Sequence, residues 1–458
     1  MPFIFLKPVT ANLFRYAATK RGPFMFGIQR SIAALLLACL AAWPLAAAAQ
    51  GDNNGPLELD IVGGRAAALP IAVAPFGGSA GGTDIAAVIR ADLDRSGQFR
   101  AMPESDVRAV SAPAMPPTQG AEVQFPAWRA AKQDFLVVGR VVEPNRVEYE
   151  LFDVAKQQRL LGFALNAPPS RDIAHQIADR IYEQILGVRG AFWTRMAYIT
   201  ASGLGRNTSY TLVVADSDGA NPNTVVRSNQ PLLSPAWSPD GGRLAYVSFE
   251  SGNSAIYVQD LTTGGREVVA AFRGINGAPS FSPDGRRLAM SLSRNGNPDI
   301  YVMDLGSRAL SRITDQMGID TEPTWSADGS SLYFTSDRGG RPQIYQASAS
   351  GGGASRVTFE GGYNASPSVS ADGKKIAVLQ GAGNDYRVAL LDRSLGSPRW
   401  SRLSPGSQDE SPSFAPNGAM LLYAARGGVF VVSADGRVRQ QLVHGAREPA
   451  WGPFRTPR

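Results

Sequence analysis

The chain has 458 residues, 44% of them hydrophobic and 18% charged, a composition that excludes a disordered protein and leaves room for two or three domains. Its 49 Gly and 32 Pro exclude an all-helical fold. The formal charge of +6, from 45 Lys and Arg against 39 Asp and Glu, would point to a nucleic-acid partner only if the basic excess belonged to the folded part.

It does not belong there. Lys20, Arg21 and Arg30 precede an uncharged, leucine-rich run over 32–49 that ends in Ala47-Ala48-Ala49, giving the basic, apolar and small-residue regions of a secretory signal peptide. The run is also long enough for a membrane anchor, but Pro44 and the alanine-rich end favour cleavage, with Gln50 opening the exported chain. The 24 residues before Met25 exceed what such a signal needs, so Met25 is an alternative start. Cys39 after Leu36-Leu37-Ala38 imitates a lipoprotein acceptor, although apolar sequence runs on beyond it. A signal over 1–49 takes with it Lys7, Arg15, Lys20, Arg21, Arg30, no acid, and the only cysteine. The exported chain is then close to neutral, relies on its core rather than on disulfides, does not itself span the membrane, and has no nucleic-acid partner.

Residues 50–69 read as a mobile N-terminal segment in which Leu57-Glu58-Leu59-Asp60-Ile61 alternates like a short strand. An α/β domain follows over 70–190. It starts with a buried strand over 70–76 and a helix capped by Thr83 or Asp84, with Ile85, Val88, Ile89 and Leu93 on one face and Gly97 placed to end it. After a Pro-rich loop over 112–117 come strands over 135–142, 147–154 and 160–165. A last helix after Ser170 sets Ile173, Ile177, Ile181 and Ile185 at four-residue spacing and stops at Gly187. The pattern predicts helices around a short mixed sheet.

From 191 to 458 the chain repeats. Pro235-Ala236-Trp237-Ser238-Pro239-Asp240-Gly241 returns with variations from Pro279, Pro323, Pro367 and Pro412, at intervals of 44, 44, 44 and 45 residues. That period holds four short strands, one blade of a β-propeller. The leading proline limits pairing at the start of its strand, Trp237, Phe281, Trp325 and Phe414 fill the wedge between blades, and Asp-Gly turns the chain. Met196-Ala197-Tyr198-Ile199 and the strand over 210–216 lack a motif before them, while Pro449-Ala450-Trp451-Gly452-Pro453 lacks strands after it. Joining the two ends closes a six-bladed, all-β ring without open edges.

Candidate chemistry is sparse. Gly77-Gly78-Ser79-Ala80-Gly81 fits the serine-hydrolase elbow, but a Gly-rich loop meets that pattern easily, and only His175 and His444 could serve as a base. With no cysteine after the signal and two isolated histidines, a zinc site or thiol nucleophile is not expected. Asp216-Ser217-Asp218-Gly219 with Asn221 echoes a calcium loop but lacks its closing glutamate, and reads better as a strand-connecting turn. The segments entering each motif, Asn276-Gly277-Ala278, Asp320-Thr321-Glu322, Asn364-Ala365-Ser366, Asp409-Glu410-Ser411 and Arg447-Glu448, read as equivalent loops on one polar, mostly acidic rim. Such a rim is either solvated turns or a docking face for another protein.

The signal, the small α/β domain and the six motif-bearing blades together resemble the TolB family, the periplasmic propellers of the Tol-Pal envelope system. Val213-Val214-Ala215-Asp216-Ser217-Asp218-Gly219-Ala220-Asn221 and Thr321-Glu322-Pro323-Thr324-Trp325 carry the resemblance further. It implies a non-enzymatic periplasmic adaptor that links the outer-membrane lipoprotein Pal to TolA of the inner-membrane complex, for outer-membrane integrity and constriction during division. By motif, Pal would meet Ile275, Asn276, Ala278, Thr321 and Glu322, with Ile275 standing where the family commonly has histidine. TolA would meet Leu57, Glu58, Leu59, Asp60 and Ile61, and order in that tail would be coupled to Pal docking. Other outer-membrane proteins are further partners it allows. No cofactor is implied, with calcium in the propeller channel as the alternative. An enzyme on a related propeller would need an appended hydrolase domain or several channel histidines, and this sequence has neither.

Overall fold

The computed structural model describes residues 59–61, 68–78, 83–383, 385–394 and 396–456. The signal over 1–49, Leu57, Glu58 and the Ser79-Ala80-Gly81 part of the elbow lie outside them.

Local chemistry sets the two long helices of the α/β domain. Asp84 accepts the Ala87 amide at 2.9 Å and starts α1 (Ile85–Arg95), which buries Ile85, Val88, Ile89 and Leu93. Two short helices follow that the sequence pattern does not announce, α2 (Glu104–Ser111) and α3 (Phe125–Ala130), fixed to the sheet by Val107 and Trp128 respectively. Ser170 caps α4 (Arg171–Leu186), and Gly187 ends it at φ 75°, a conformation that costs glycine no Cβ clash. The sheet runs in the order Phe99–Ala101, Leu69–Val73, Phe135–Glu143, Arg146–Asp153, Gln158–Leu165. Its first two pairings are parallel and the rest antiparallel. The expected mixed sheet is therefore present, with the edge strand Phe99–Ala101 in addition.

Six four-stranded blades follow. Blade 1 pairs the C-terminal strand Ala446–Trp451 with Arg195–Ser202, Ser209–Asp216 and Asn223–Ser228, so both ends of the propeller share one sheet and the ring closes. Blades 2 to 5 begin at Leu232–Trp237, Asn276–Phe281, Asp320–Trp325 and Asn364–Val369. Blade 6 runs from Glu410–Phe414 to Val438–His444 and carries Leu59–Ile61 as a fifth, outermost strand, with Asp60 opposite Arg439.

The repeated aspartates are turn residues. Asp240, Asp284, Asp328 and Asp372 each accept the hydroxyl of the motif serine two positions back, at 2.5–2.6 Å, and a backbone amide two positions on. The glycine after each one has φ between 68° and 70°.

The leading proline is not at the start of its strand, as its sequence context predicts, but inside it. In all six blades the residue before it is left-handed: Ser234, Ala278, Glu322, Ser366, Ser411 and Glu448, with φ between 48° and 56°. The register slips there in every blade. This bulge turns the proline's missing N–H away from the neighbouring strand, so the ladder tolerates it. The segments entering the motifs are consequently the first half of the innermost strands, not loops.

The two domains share one apolar cluster. Ile89 and Leu93 of α1 and Ile177, Ile181 and Tyr182 of α4 join Phe192, Met196, Val431 and Trp451 of the propeller side. No helix among the described residues is long and apolar enough to cross a membrane.

Candidate docking face and interdomain cluster

The six bulges ring the mouth of the channel, a cavity of about 190 Å³. Its walls are the Ser-Pro, Ala-Pro and Glu-Pro pairs of the motifs, so the only charged side chains among its lining residues are Glu322 and Glu448. Glu322 accepts the Ser366 amide and hydroxyl from the next blade, at 2.9 and 2.8 Å, and the Thr335 hydroxyl at 2.8 Å. Glu448, 4% exposed, accepts the Ser234 amide of its own next blade. Burial raises the pKa of Glu322, and that of Glu448 to about 7.

The residues matched to Pal contacts divide by position. Asn276 is completely buried, its amide group bonded to Ser254, Phe272 and Gly274, where it ties down the loop before it. Thr321 is 4% exposed and touches Ser291. Ile275 is likewise buried, while Ala278 and Glu322 line the mouth. Asn364 repeats the role of Asn276, donating to the Glu360 carbonyl and to Gln343, both at 2.8 Å, whereas Asp320 in the equivalent place pairs with Arg338 at 2.7 Å.

The accessible tips are the loops one step earlier. Met317 is 99% exposed and Phe359 is 73% exposed, in the loops entering blades 4 and 5. Phe272 lies in the loop entering blade 3 with Arg294 stacked over it, and Arg356 stacks over Phe359. Sequence reading misses them because a lone apolar residue in a glycine-bearing loop has no periodicity to betray it. Of the segment matched to TolA, Leu59, Asp60 and Ile61 form the edge strand on Val438–His444.

The second constellation lies between the domains. His175, in the second turn of α4, is not isolated: its Nδ1 is 2.6 Å from Asp92 Oδ2 of α1, and its Nε2 is 3.9 Å from Asp218 Oδ2 in the turn after Ser209–Asp216. Arg95 pairs with Asp92 at 2.6 Å, and Arg171 pairs with Asp218. The turn is held within itself, with Asp218 Oδ1 accepting the Ala220 amide and Asn221 donating to Asp216. It is the strand-connecting turn the sequence suggests, and its acids face the α/β domain. Asp92, His175 and Asp218 are the one group among the described residues that could gather around a metal ion.

His444, in contrast, is exposed and bonds to Gln441, and the buried ring of His175 is held by carboxylates. Neither pairs with a serine nucleophile in the hydrogen bonds of the described residues.

Residues 57–160 match the family model of the TolB amino-terminal domain, and residues 182–455 that of the TolB beta propeller domain. The Tol-Pal system protein TolB of Xanthomonas euvesicatoria pv. vesicatoria is 63% identical over 437 residues, covering 92% of this chain and 98% of its own. That of Xanthomonas campestris pv. campestris strain B100 is 62% identical over the same length and the same shares. The crystal structure of TolB from Acinetobacter baumannii superposes with a TM-score of 0.77 at 42% identity, covering 87% of this chain and all of the other.

Proposed function

Because the chain belongs to the TolB family of Tol-Pal system proteins, we propose that it is a non-enzymatic periplasmic adaptor that joins Pal at the outer membrane to TolA of the inner-membrane complex. In this role it serves outer-membrane integrity and constriction during division. The observation that carries the docking role is the rim: two consecutive loops present Met317 and Phe359 beside a rigid mouth, with the half-buried Phe272 in the loop before them. Exposed apolar side chains on a stiff scaffold are what a protein partner buries most profitably. Pal then sits over Ala278 and Glu322 with Met317 and Phe359 at its edge, while Asn276 and Thr321 shape the face from beneath. TolA engages the N-terminal segment around Leu59, Asp60 and Ile61, whose strand is the outermost of its sheet. No step of this reading draws on a cofactor.

Titration of the exported chain with purified Pal tests it. Met317→Asp with Phe359→Asp is expected to weaken Pal about tenfold or more while the fold stays intact. Removing residues 50–62 is expected to abolish TolA binding. Unchanged Pal affinity in the double variant would move the docking face elsewhere, and absence of Pal binding by the unaltered chain would end the adaptor reading.

A further inference from the structure

His175 is 1% exposed and Asp92 is fully buried, so the cluster they form with Asp218 is part of the joint between the domains, away from solvent. Its charges do not balance without a proton. Facing the imidazole are Asp92 and Arg95 from α1, Asp216 and Asp218 from the blade 1 turn, and Arg171 from the start of α4. Of the other charged groups on α4, Asp172 is taken by Arg455 at 2.8 Å. Asp179, one turn beyond His175, accepts the Phe192 amide at 2.7 Å. Three carboxylates thus meet two guanidinium groups, and the imidazole is the remaining group that can supply a positive charge.

The ring geometry agrees with that count. Nδ1 gives its proton to Asp92, and Nε2 is buried, without a hydrogen-bond partner, and 3.9 Å from a carboxylate oxygen. A neutral ring would aim a lone pair at Asp218, whereas a doubly protonated ring aims an N–H. We propose that Asp92, His175 and Asp218 form a proton-sensitive clamp between the α/β domain and the propeller, closed while His175 carries both ring protons and loosened when it loses one. Burial alone would lower the pKa of His175, but the Asp92 carboxylate, helped by Asp218, outweighs it and the pKa is raised.

A divalent ion is the competing occupant, and two features oppose it. Asp92 and Asp218 each already hold a guanidinium. Asp92 Oδ2 and Nδ1 are in direct hydrogen-bond contact, closer together than two ligands set at tetrahedral angles around one ion with bonds of about 2.0–2.2 Å. The clamp also has a route to the propeller's outer edge. Three residues beyond α1, Gln98 donates to Asp435 at 2.9 Å, and Asp435 lies in the hairpin leading into Val438–His444, the strand that Leu59–Ile61 joins.

The protein has two histidines, so its imidazole resonances can be followed by NMR, with His444→Gln assigning them. The His175 midpoint is expected above the ordinary imidazole value of about 6.5, and Asp218→Asn is expected to lower it. In parallel, spin labels at Ala130→Cys and Thr262→Cys report the distance between domains. That distance is expected to lengthen or broaden as pH rises through the His175 midpoint, and His175→Gln is expected to fix it in the high-pH form. A His175 midpoint at or below about 6.5, or a distance unchanged across it, would overturn the clamp. So would a stoichiometric metal whose removal by chelator reproduces the high-pH distance. The titration of the unaltered protein decides the matter even if a variant fails to fold.

Discussion

Glu448 stands to Ser234 as Glu322 stands to Ser366: in each pair a carboxylate on one innermost strand accepts the amide of the left-handed serine on the next blade. The two glutamates occupy blades 1 and 4, on opposite sides of the six-membered ring. Two facing joints are therefore stitched at the channel mouth by buried carboxylates. The stitch at Glu448 adjoins the blade that the chain ends close together.

Removing one stitch should expose its donors. In Glu322→Ala the Ser366 amide and hydroxyl and the Thr335 hydroxyl lose their shared acceptor. The expected loss is about 1–3 kcal/mol in urea unfolding, the cost of leaving buried donors unpaired. Glu322→Gln keeps an acceptor oxygen and should lose clearly less. Equal losses for the two variants would mean that the carboxylate contributes only bulk.

The pH dependence at Glu448 has a defined sign. Burial raises its pKa from 4.5 to about 7, so between those values the folded state keeps a proton that the unfolded state has released. Its contribution to stability is fully present below 4.5 and is lost as pH rises towards about 7. Glu448→Gln, uncharged throughout, should flatten that part of the stability profile by up to about 3 kcal/mol, with the gap to the unaltered protein closing below pH 4.5. Parallel profiles across the window would show that the proton is not held there.

Much of this architecture is legible in the sequence because each blade solves the same local problem with the same residues. Asp240, Asp284, Asp328 and Asp372 are turn formers wherever they stand, and Asp84, Ser170 and Gly187 mark helix ends by chemistry confined to a few neighbours. What local chemistry cannot convey is what distant residues decide. A polar residue before a proline reads as loop, whereas pairing with the next strand makes Glu322-Pro323 a bulge inside a strand. Helices α2 and α3 are too short for periodicity and are held by single anchors, Val107 and Trp128. His175 reads as isolated because Asp92 precedes it by 83 residues and only the fold brings them together.

A second interblade contact recurs at three successive joints. Arg195, Arg243 and Arg287, each beginning the second strand of its blade, stack on Trp237, Phe281 and Trp325 of the next. Each also donates to the carbonyl of that blade's turn glycine, Gly241, Gly285 or Gly329. Arg287→Ala should cost about 1–2 kcal/mol, measured as a shift in the denaturant midpoint. Arg287→Lys should recover less than half of it, because an ammonium cannot lie flat on Trp325 while reaching Gly329. Full recovery by lysine would reduce the clasp to simple charge.

The pairing of Asp60 with Arg439 makes the outer edge of blade 6 depend on a segment far away in sequence. Backbone amides of Val438, Arg439 and Gln440 that face outward are covered by Leu59–Ile61 and should exchange slowly with deuterium. Three residues of added strand are a modest stabilisation, so deleting residues 50–62 should speed those amides by about tenfold, equivalent to about 1.4 kcal/mol. The amides facing Gly428–Ser433 stay paired and should be unaffected. Asp60→Pro should reproduce the deletion, since a proline removes a donor and stiffens the strand. If TolA takes the same segment, adding it to the unaltered protein should raise exchange at the same amides, and an unchanged pattern would place TolA on a different surface.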